Sequence, residues 1–194
     1  MTTPLTSSER IAVFCGARPG TRPDHVALAH DFGYALARRG RDLVYGAGGV
    51  GVMGAVADGV LAGGGTVTGV LPRTLHDRER ADRARGEIFV VASMHQRKAL
   101  MYRLSTGFAV LPGGIGTLDE LMEVATWNQL SLMTKPLVVV NHRGFYDPML
   151  AMLDHLVGEG FLTARERGAV RSAETTEDAL DLLAAPGAAL LAPV

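Results

Sequence analysis

The sequence predicts one α/β domain, a Rossmann-like doubly wound parallel sheet with helices on both faces. Three observations predict it. Short apolar runs of strand length alternate with segments of helical period along the 194 residues. Hydrophobic residues make up 47% of the chain, enough to cover both faces of a buried sheet. Three strand-like runs break into glycine, at Gly16, at Gly46 to Gly51 and at Gly113 to Gly116. In such sheets ligands bind beyond the carboxyl ends of the strands.

Residues 1–9 read as a flexible tail, and residues 10–194 as a single Rossmann-like domain. The run Ile11 to Cys15 stops at Gly16 and reads as a buried strand. Asp24 to Arg39 has apolar residues at helical spacing and ends before Gly40. Asp42 to Tyr45 is a second strand, Val52 to Ala62 a helix, and Thr66 to Leu71 a third strand closed by Pro72. Residues 73–86 are charged and rich in arginine, either a solvated loop or the rim of a site. Glu87 to Ala92 and Gly107 to Leu111 are strands flanking a helix over Met94 to Ser105. A long helix follows to Leu132, then a strand from Lys135 to Asn141 and a helix from Asp147 to Gly158. A short strand near Val170 and a last helix from Thr176 close the pattern.

The charge balance of 19 basic and 20 acidic side chains disfavours a nucleic-acid partner, which needs a basic surplus. The lone cysteine, Cys15, sits in an apolar run and excludes a disulfide framework. No apolar run reaches the roughly 20 residues that span a bilayer, so no membrane partner is expected. The N-terminal stretch is polar rather than basic-then-apolar, and the expected location is cytoplasmic.

Gly113-Gly114-Ile115-Gly116-Thr117 lies between a predicted strand and a predicted helix. Glycine lets a ligand approach the main chain, and a helix start offers unpaired N–H groups at the positive end of the dipole. That combination makes an anion site. Gly46, Gly48 and Gly51 formally fit a dinucleotide fingerprint, but they follow the second strand and no acidic residue ends a strand about twenty residues later. Neither loop carries the Lys-Ser/Thr pair of a triphosphatase.

Thr117-Leu118-Asp119-Glu120 reads as a capping box, with Thr117 as cap and Glu120 reaching back to it. The alternative is that Glu120 sits one turn above the glycine loop and faces a ligand, bonding a ribose hydroxyl or orienting water. Arg97 and Lys98 begin another helix, where the dipole disfavours cations. Either Glu120 or a bound phosphate would compensate, and a surface salt bridge is the plainer alternative. Cleaving an N-glycosidic bond builds positive charge at C1′ and negative charge on the base. One acidic and one basic group flanking an anchored ribose phosphate suit that chemistry. Arg97 and Glu120 are the candidate catalytic pair.

These segments resemble the Lonely Guy family of cytokinin riboside 5′-monophosphate phosphoribohydrolases, long labelled possible lysine decarboxylases. The resemblance is carried by Val13-Phe-Cys-Gly16, Leu43 to Gly46 with Gly51-Val-Met-Gly54, Met94-His-Gln-Arg-Lys98 and Leu111 through Glu120. Trp127-Asn-Gln-Leu130, Lys135-Pro136 and Tyr146-Asp-Pro148 extend it over roughly residues 10–162. The resemblance implies release of a free base and ribose 5-phosphate from a nucleoside 5′-monophosphate, without cofactor or metal. It implies a homodimer or an assembly of dimers, with sites near the interface. It places catalysis on Arg97 and Glu120. Substrate binding falls on Glu79, Arg97, Lys98, Gly114, Ile115, Gly116, Thr117, Leu118, Asp119, Glu120 and Thr126, joined by Gly113 from the loop itself. The chain has Ala17 where members often carry serine and Ala47 where many carry glycine.

A pyridoxal decarboxylase needs a lysine for its Schiff base. The choices here are Lys98, in a helix start, and Lys135, before a proline. A non-catalytic nucleotide-binding protein of the same fold is the main alternative, with a dinucleotide oxidoreductase behind it. The base preference, N6-modified adenine or plain adenine, is left open. Met94, Met122 and Met133 are either pocket or core.

Overall fold

The computed structural model describes residues 9–76 and 83–185. The elements run β1 (Arg10–Phe14), α1 (Asp24–Arg38), β2 (Asp42–Tyr45), α2 (Gly51–Ala62), β3 (Val67–Pro72) and α3 (Arg73–His76). They continue through β4 (Glu87–Val91), α4 (Met94–Leu104), β5 (Gly107–Val110), α5 (Ile115–Gln129) and β6 (Leu137–Val140). A 3₁₀ turn at His142–Gly144, α6 (Asp147–Gly158), α7 (Ala164–Ala169), β7 (Val170–Ala173) and α8 (Thr176–Ala184) follow within the described residues.

Seven strands form one sheet in the order β4-β3-β2-β1-β5-β6-β7, and every pairing is parallel. Parallel strands need crossover helices, and these cover both faces. Ile11, Val13, Leu43 and Tyr45 point to one face, where Phe32 and Leu36 of α1, Val56 and Val60 of α2 and Leu180 of α8 bury them. Ala12, Phe14 and Val44 point to the other, under Met101 and Tyr102 of α4, Leu121 and Val124 of α5 and Leu153 of α6. The period-2 split of one strand between two cores is the pleat expressed in packing. Strand order reverses between β1 and β5, and the loops leaving those two strands part there to open a crevice.

Two expectations for α5 change. It begins at Ile115 with Gly114 at the cap, so Thr117 is the third helical residue and not the cap. The capping-box reading of Thr117 and Glu120 is therefore overturned. It also ends at Gln129 rather than Leu132, because Ser131 takes a left-handed φ of 56° and Leu132 N bonds back to Trp127 O. A true capping box stands at Thr163 and Glu166, opening α7, a helix too short to show a period in sequence. Glu9 is tied to the domain, its backbone oxygen accepting from Asp42 N and its carboxylate from Arg41 Nε.

Candidate active site

The crevice at the β1–β5 reversal is a cleft of about 820 Å³. One wall is the loop Cys15 to Thr21 after β1, and another is Pro112 to Thr117 at the start of α5. The two loops are bonded at their bases, Gly16 N donating to Pro112 O, and Met53 N of α2 donates to Gly16 O. The crossing is tight: a Cβ on Gly113 would lie 2.1 Å from Thr117 Oγ1 and 2.8 Å from Gly16 N. Only a residue without a side chain fits there. No side chain caps α5, so the N–H groups of its first turn are left for a ligand.

Helix α4 brings the basic group. Ser93 caps it by accepting from Gln96 N, and Gln96 Oε1 accepts from Ala92 N. This fixes the first turn and places Arg97 on the cleft side. Its guanidinium lies against Gly46 at the end of β2, where a Cβ would stand 1.7 Å from Nη2. Glu120, one turn into α5, is buried at 7% exposure and faces Arg97, with Oε1 3.8 Å from Nη2. Burial pushes the Glu120 carboxyl up to about 7, against the opposing pull of Arg97. The local capping reading had competed for this residue; the structure points its side chain to the cation.

Lys98 lines the cleft and the groove beside it and is held by two carboxylates. Its ammonium pairs with Asp119 Oδ2 at 3.0 Å and Glu123 Oε2 at 2.8 Å, and Glu123 also accepts from Tyr102 OH. Burial opposes its charge, but the two carboxylates more than offset this and hold its pKa above the usual lysine value. The anion expected to balance the paired cations is thus supplied separately to each, by Glu120 for Arg97 and by Asp119 and Glu123 for Lys98.

Of the candidate residues, Arg97, Lys98, residues 113–117, Asp119 and Glu120 line the one cleft. Leu118 and Thr126 line a shallow groove beside it, together with Met122, while Lys98 and Asp119 border both. Glu79 lies outside the described residues. Sequence reasoning missed His25 of α1 and Phe145 after the 3₁₀ turn, which close one end of the cleft edge-to-face. Neither sits in a local motif; only the fold brings them together. Cys15 is buried where it lines the cleft, and burial raises its thiol pKa, which keeps it unreactive. Met94 and Met53 line the cleft, while Met122 and Met133 pack partly buried against the core. Both lysines are engaged: Lys135 Nζ donates to Tyr102 O and Ser105 O at the end of α4. Among the described residues, no group of three or more His, Cys, Asp and Glu is placed to hold a metal ion.

In chemical terms the cleft offers an anion seat at the α5 start and, beside it, a buried carboxylate facing a guanidinium. Fold and cleft together define a Rossmann-like protein equipped for a small anionic ligand. The family described as possible lysine decarboxylase matches residues 53–183. A probable cytokinin riboside 5′-monophosphate phosphoribohydrolase of Oryza sativa subsp. japonica is 47% identical over 171 residues, covering 88% of this chain and 70% of its own. A cytokinin riboside 5′-monophosphate phosphoribohydrolase of Arabidopsis thaliana is 46% identical over 169 residues, 87% and 79% of the two chains. The molybdenum cofactor binding protein of Rippkaea orientalis shares the fold, with a TM-score of 0.69 at 21% identity over 92% of this chain and 96% of its own. The chain belongs to the family of cytokinin riboside 5′-monophosphate phosphoribohydrolases, for which possible lysine decarboxylase is a description that neither lysine supports.

Proposed function

We propose that this protein hydrolyses the N-glycosidic bond of a nucleoside 5′-monophosphate, releasing the free base and ribose 5-phosphate. The relatives are named for a cytokinin riboside 5′-monophosphate, and the proposed substrate is adenosine 5′-monophosphate carrying an N6 substituent, with plain adenosine monophosphate as the competing substrate. The observation that carries the reading is the buried Arg97–Glu120 pair standing beside the uncapped start of α5.

The phosphate sits on the first-turn N–H groups of α5, flanked by Gly113, Gly114, Gly116 and Thr117. Anchoring it aligns the ribose between Arg97 and Glu120. As the C1′–N bond breaks, its electron pair leaves with the base and C1′ becomes cationic. The Glu120 carboxylate stabilises that charge and takes a proton from the attacking water, whose oxygen bonds C1′. Arg97 opposes the developing negative charge and holds the ionised Glu120 in a buried place. The proton that Glu120 takes from water is given up to solvent, from which the departing base takes one, so the carboxylate is restored and the products are ribose 5-phosphate and the neutral base. Met53 and Met94 give the cleft apolar lining suited to an enlarged base.

The working unit is proposed to be a homodimer. Met94 and Ile115 stand exposed beside the site, Ile115 at 87%, as do Phe89 and Val90 of the edge strand β4. The proposed location is the cytoplasm; among the described residues no helix is long and apolar enough to cross a membrane.

The test incubates purified protein with adenosine monophosphate and with N6-isopentenyladenosine monophosphate and separates the products by chromatography. Faster release of the modified base supports the proposal. Release from the plain nucleotide alone keeps the reaction and overturns the substrate. No free base from either, from folded protein that binds both, favours a binding module.

A further inference from the structure

The guanidinium of Arg97 is buried yet short of partners. Its Nε is sealed from solvent without a hydrogen bond. Nη2 lies 3.8 Å from Glu120 Oε1, an ion pair too long for a hydrogen bond. Among the described residues, the side-chain hydrogen bond it makes runs from Nη1 to Sδ of Met94, 3.4 Å away. Nη2 also lies against the bare Gly46, leaving no room for a Cβ there.

We propose that Met94 is a positioning residue, whose thioether and the bare Gly46 together seat the Arg97 guanidinium beside Glu120. The inference rests on the reading of Arg97 and Glu120 as the working pair. Met94 and Arg97 are three residues apart on α4 and therefore neighbours on one face. The Ser93 cap and the Gln96–Ala92 bond fix the turn that carries both. A thioether is a neutral and weak acceptor. It orients the cation without cancelling its charge, whereas a carboxylate in that place would draw Arg97 off Glu120 and compete with the substrate. Leucine keeps the bulk of methionine and loses the acceptor, and glutamine supplies an acceptor at similar reach.

Around Glu120 stand Arg97 and Lys98 from α4, Asp119 and Glu123 from α5 and the Cys15 thiol at the end of β1. Arg97 leads the groups that favour the ionised carboxylate, so its displacement raises the pH at which Glu120 ionises.

The experiment measures kcat and KM from pH 5.5 to 8.5 for Met94→Leu and Met94→Gln, with Arg97→Gln in parallel and circular dichroism as a check of folding. The expected result for Met94→Leu is a kcat lower by about fivefold, the order of one lost hydrogen bond. Its KM stays within about twofold of the unaltered protein, the same order-of-magnitude window, and the acidic limb moves to higher pH. Met94→Gln recovers most of the kcat. A Met94→Leu protein with unaltered kcat and pH profile overturns the inference, and so does a change confined to KM, which would leave Met94 no role beyond the cleft lining already described. If Arg97→Gln is inactive while Met94→Leu is unaltered, the seat alone fails. If Arg97→Gln still turns over substrate, the catalytic pair fails and the seat with it.

Discussion

Nη2 of Arg97 and Oε1 of Glu120 stand 3.8 Å apart, within reach of mutual attraction and beyond the length of a hydrogen bond. The gap leaves both groups hydrogen-bonding capacity toward a ligand. It also leaves Glu120 largely dry, which sets up the first prediction. Glu120→Gln lowers kcat by at least about a hundredfold, the low end for losing a general acid–base group. Binding of a nonhydrolysed nucleotide stays close to normal. Burial raises the folded-state pKa to about 7, above the ordinary glutamate value of 4.5, so the carboxyl's favourable contribution to folding is complete below 4.5 and lost as pH rises through 7. Glutamine has no charge to bury, and the variant should gain stability on the order of 3 kcal/mol relative to the parent above pH 7. Chromatographic turnover and thermal melts at pH 5 and pH 8 check both halves; a lower melting temperature at pH 8 would contradict the burial argument.

The same carboxyl shapes the pH profile of turnover. Glu120 works ionised in the proposed hydrolysis and burial lifts its carboxyl to about 7 in the free protein, so kcat/KM should rise with pH and reach half its plateau near that value. A profile measured on the folded protein that is flat from pH 5.5 to 8.5 would remove Glu120 from the ionised role.

Gly113→Ala should weaken the anion seat. The added methyl collides with Thr117 Oγ1 and Gly16 N, so the α5 start must shift off the β1 loop. Competitive inhibition by ribose 5-phosphate is expected to weaken by more than about tenfold, the scale of one lost charge-assisted hydrogen bond. Inhibition kinetics measure it, and an unchanged inhibition constant would move the phosphate elsewhere.

Lys135→Ala separates structure from chemistry. The ammonium bridges two carbonyl oxygens at the end of α4, Tyr102 O and Ser105 O, each at 2.6 Å. Its loss should cost about 2 kcal/mol in urea unfolding and leave kcat close to normal. Loss of turnover in a folded variant would reopen the lysine chemistry that the family's older description implies.

Most of the fold was legible because its signals are local. The apolar runs that became β1, β2 and β5 are bounded by glycine or polar residues, and α6 was readable from Asp147 to Gly158 by period alone. The capping box at Thr117 misled because the same four residue types serve a second geometry: Gly114 tolerates the cap position, so the helix starts earlier and Glu120 is released to face Arg97. Conversely, the real box at Thr163 was overlooked since α7 is six residues long. The Arg97–Glu120 meeting was anticipated by charge logic at the α4 start, whereas the carboxylate partners of Lys98 follow from the packing of α4 on α5. His25 and Phe145 carry no signal at all until α1 and the turn after β6 are brought to one rim.

The strand order has a consequence for folding. Gly16 and Pro112, whose backbones join the two loops of the cleft, are separated by close to half the chain. Their meeting requires β1, whose one edge carries β2, to receive β5 on its other edge only after β2, β3 and β4 have passed in sequence. A connection that distant is slow to close, since chain entropy must be surrendered before contacts return it. A nascent chain that has not yet delivered β5 holds one rim of the cleft and none of the other. Affinity for nucleotide therefore appears with the completed sheet, and a bound nucleotide, engaging only the finished state, makes the whole domain slower to come apart.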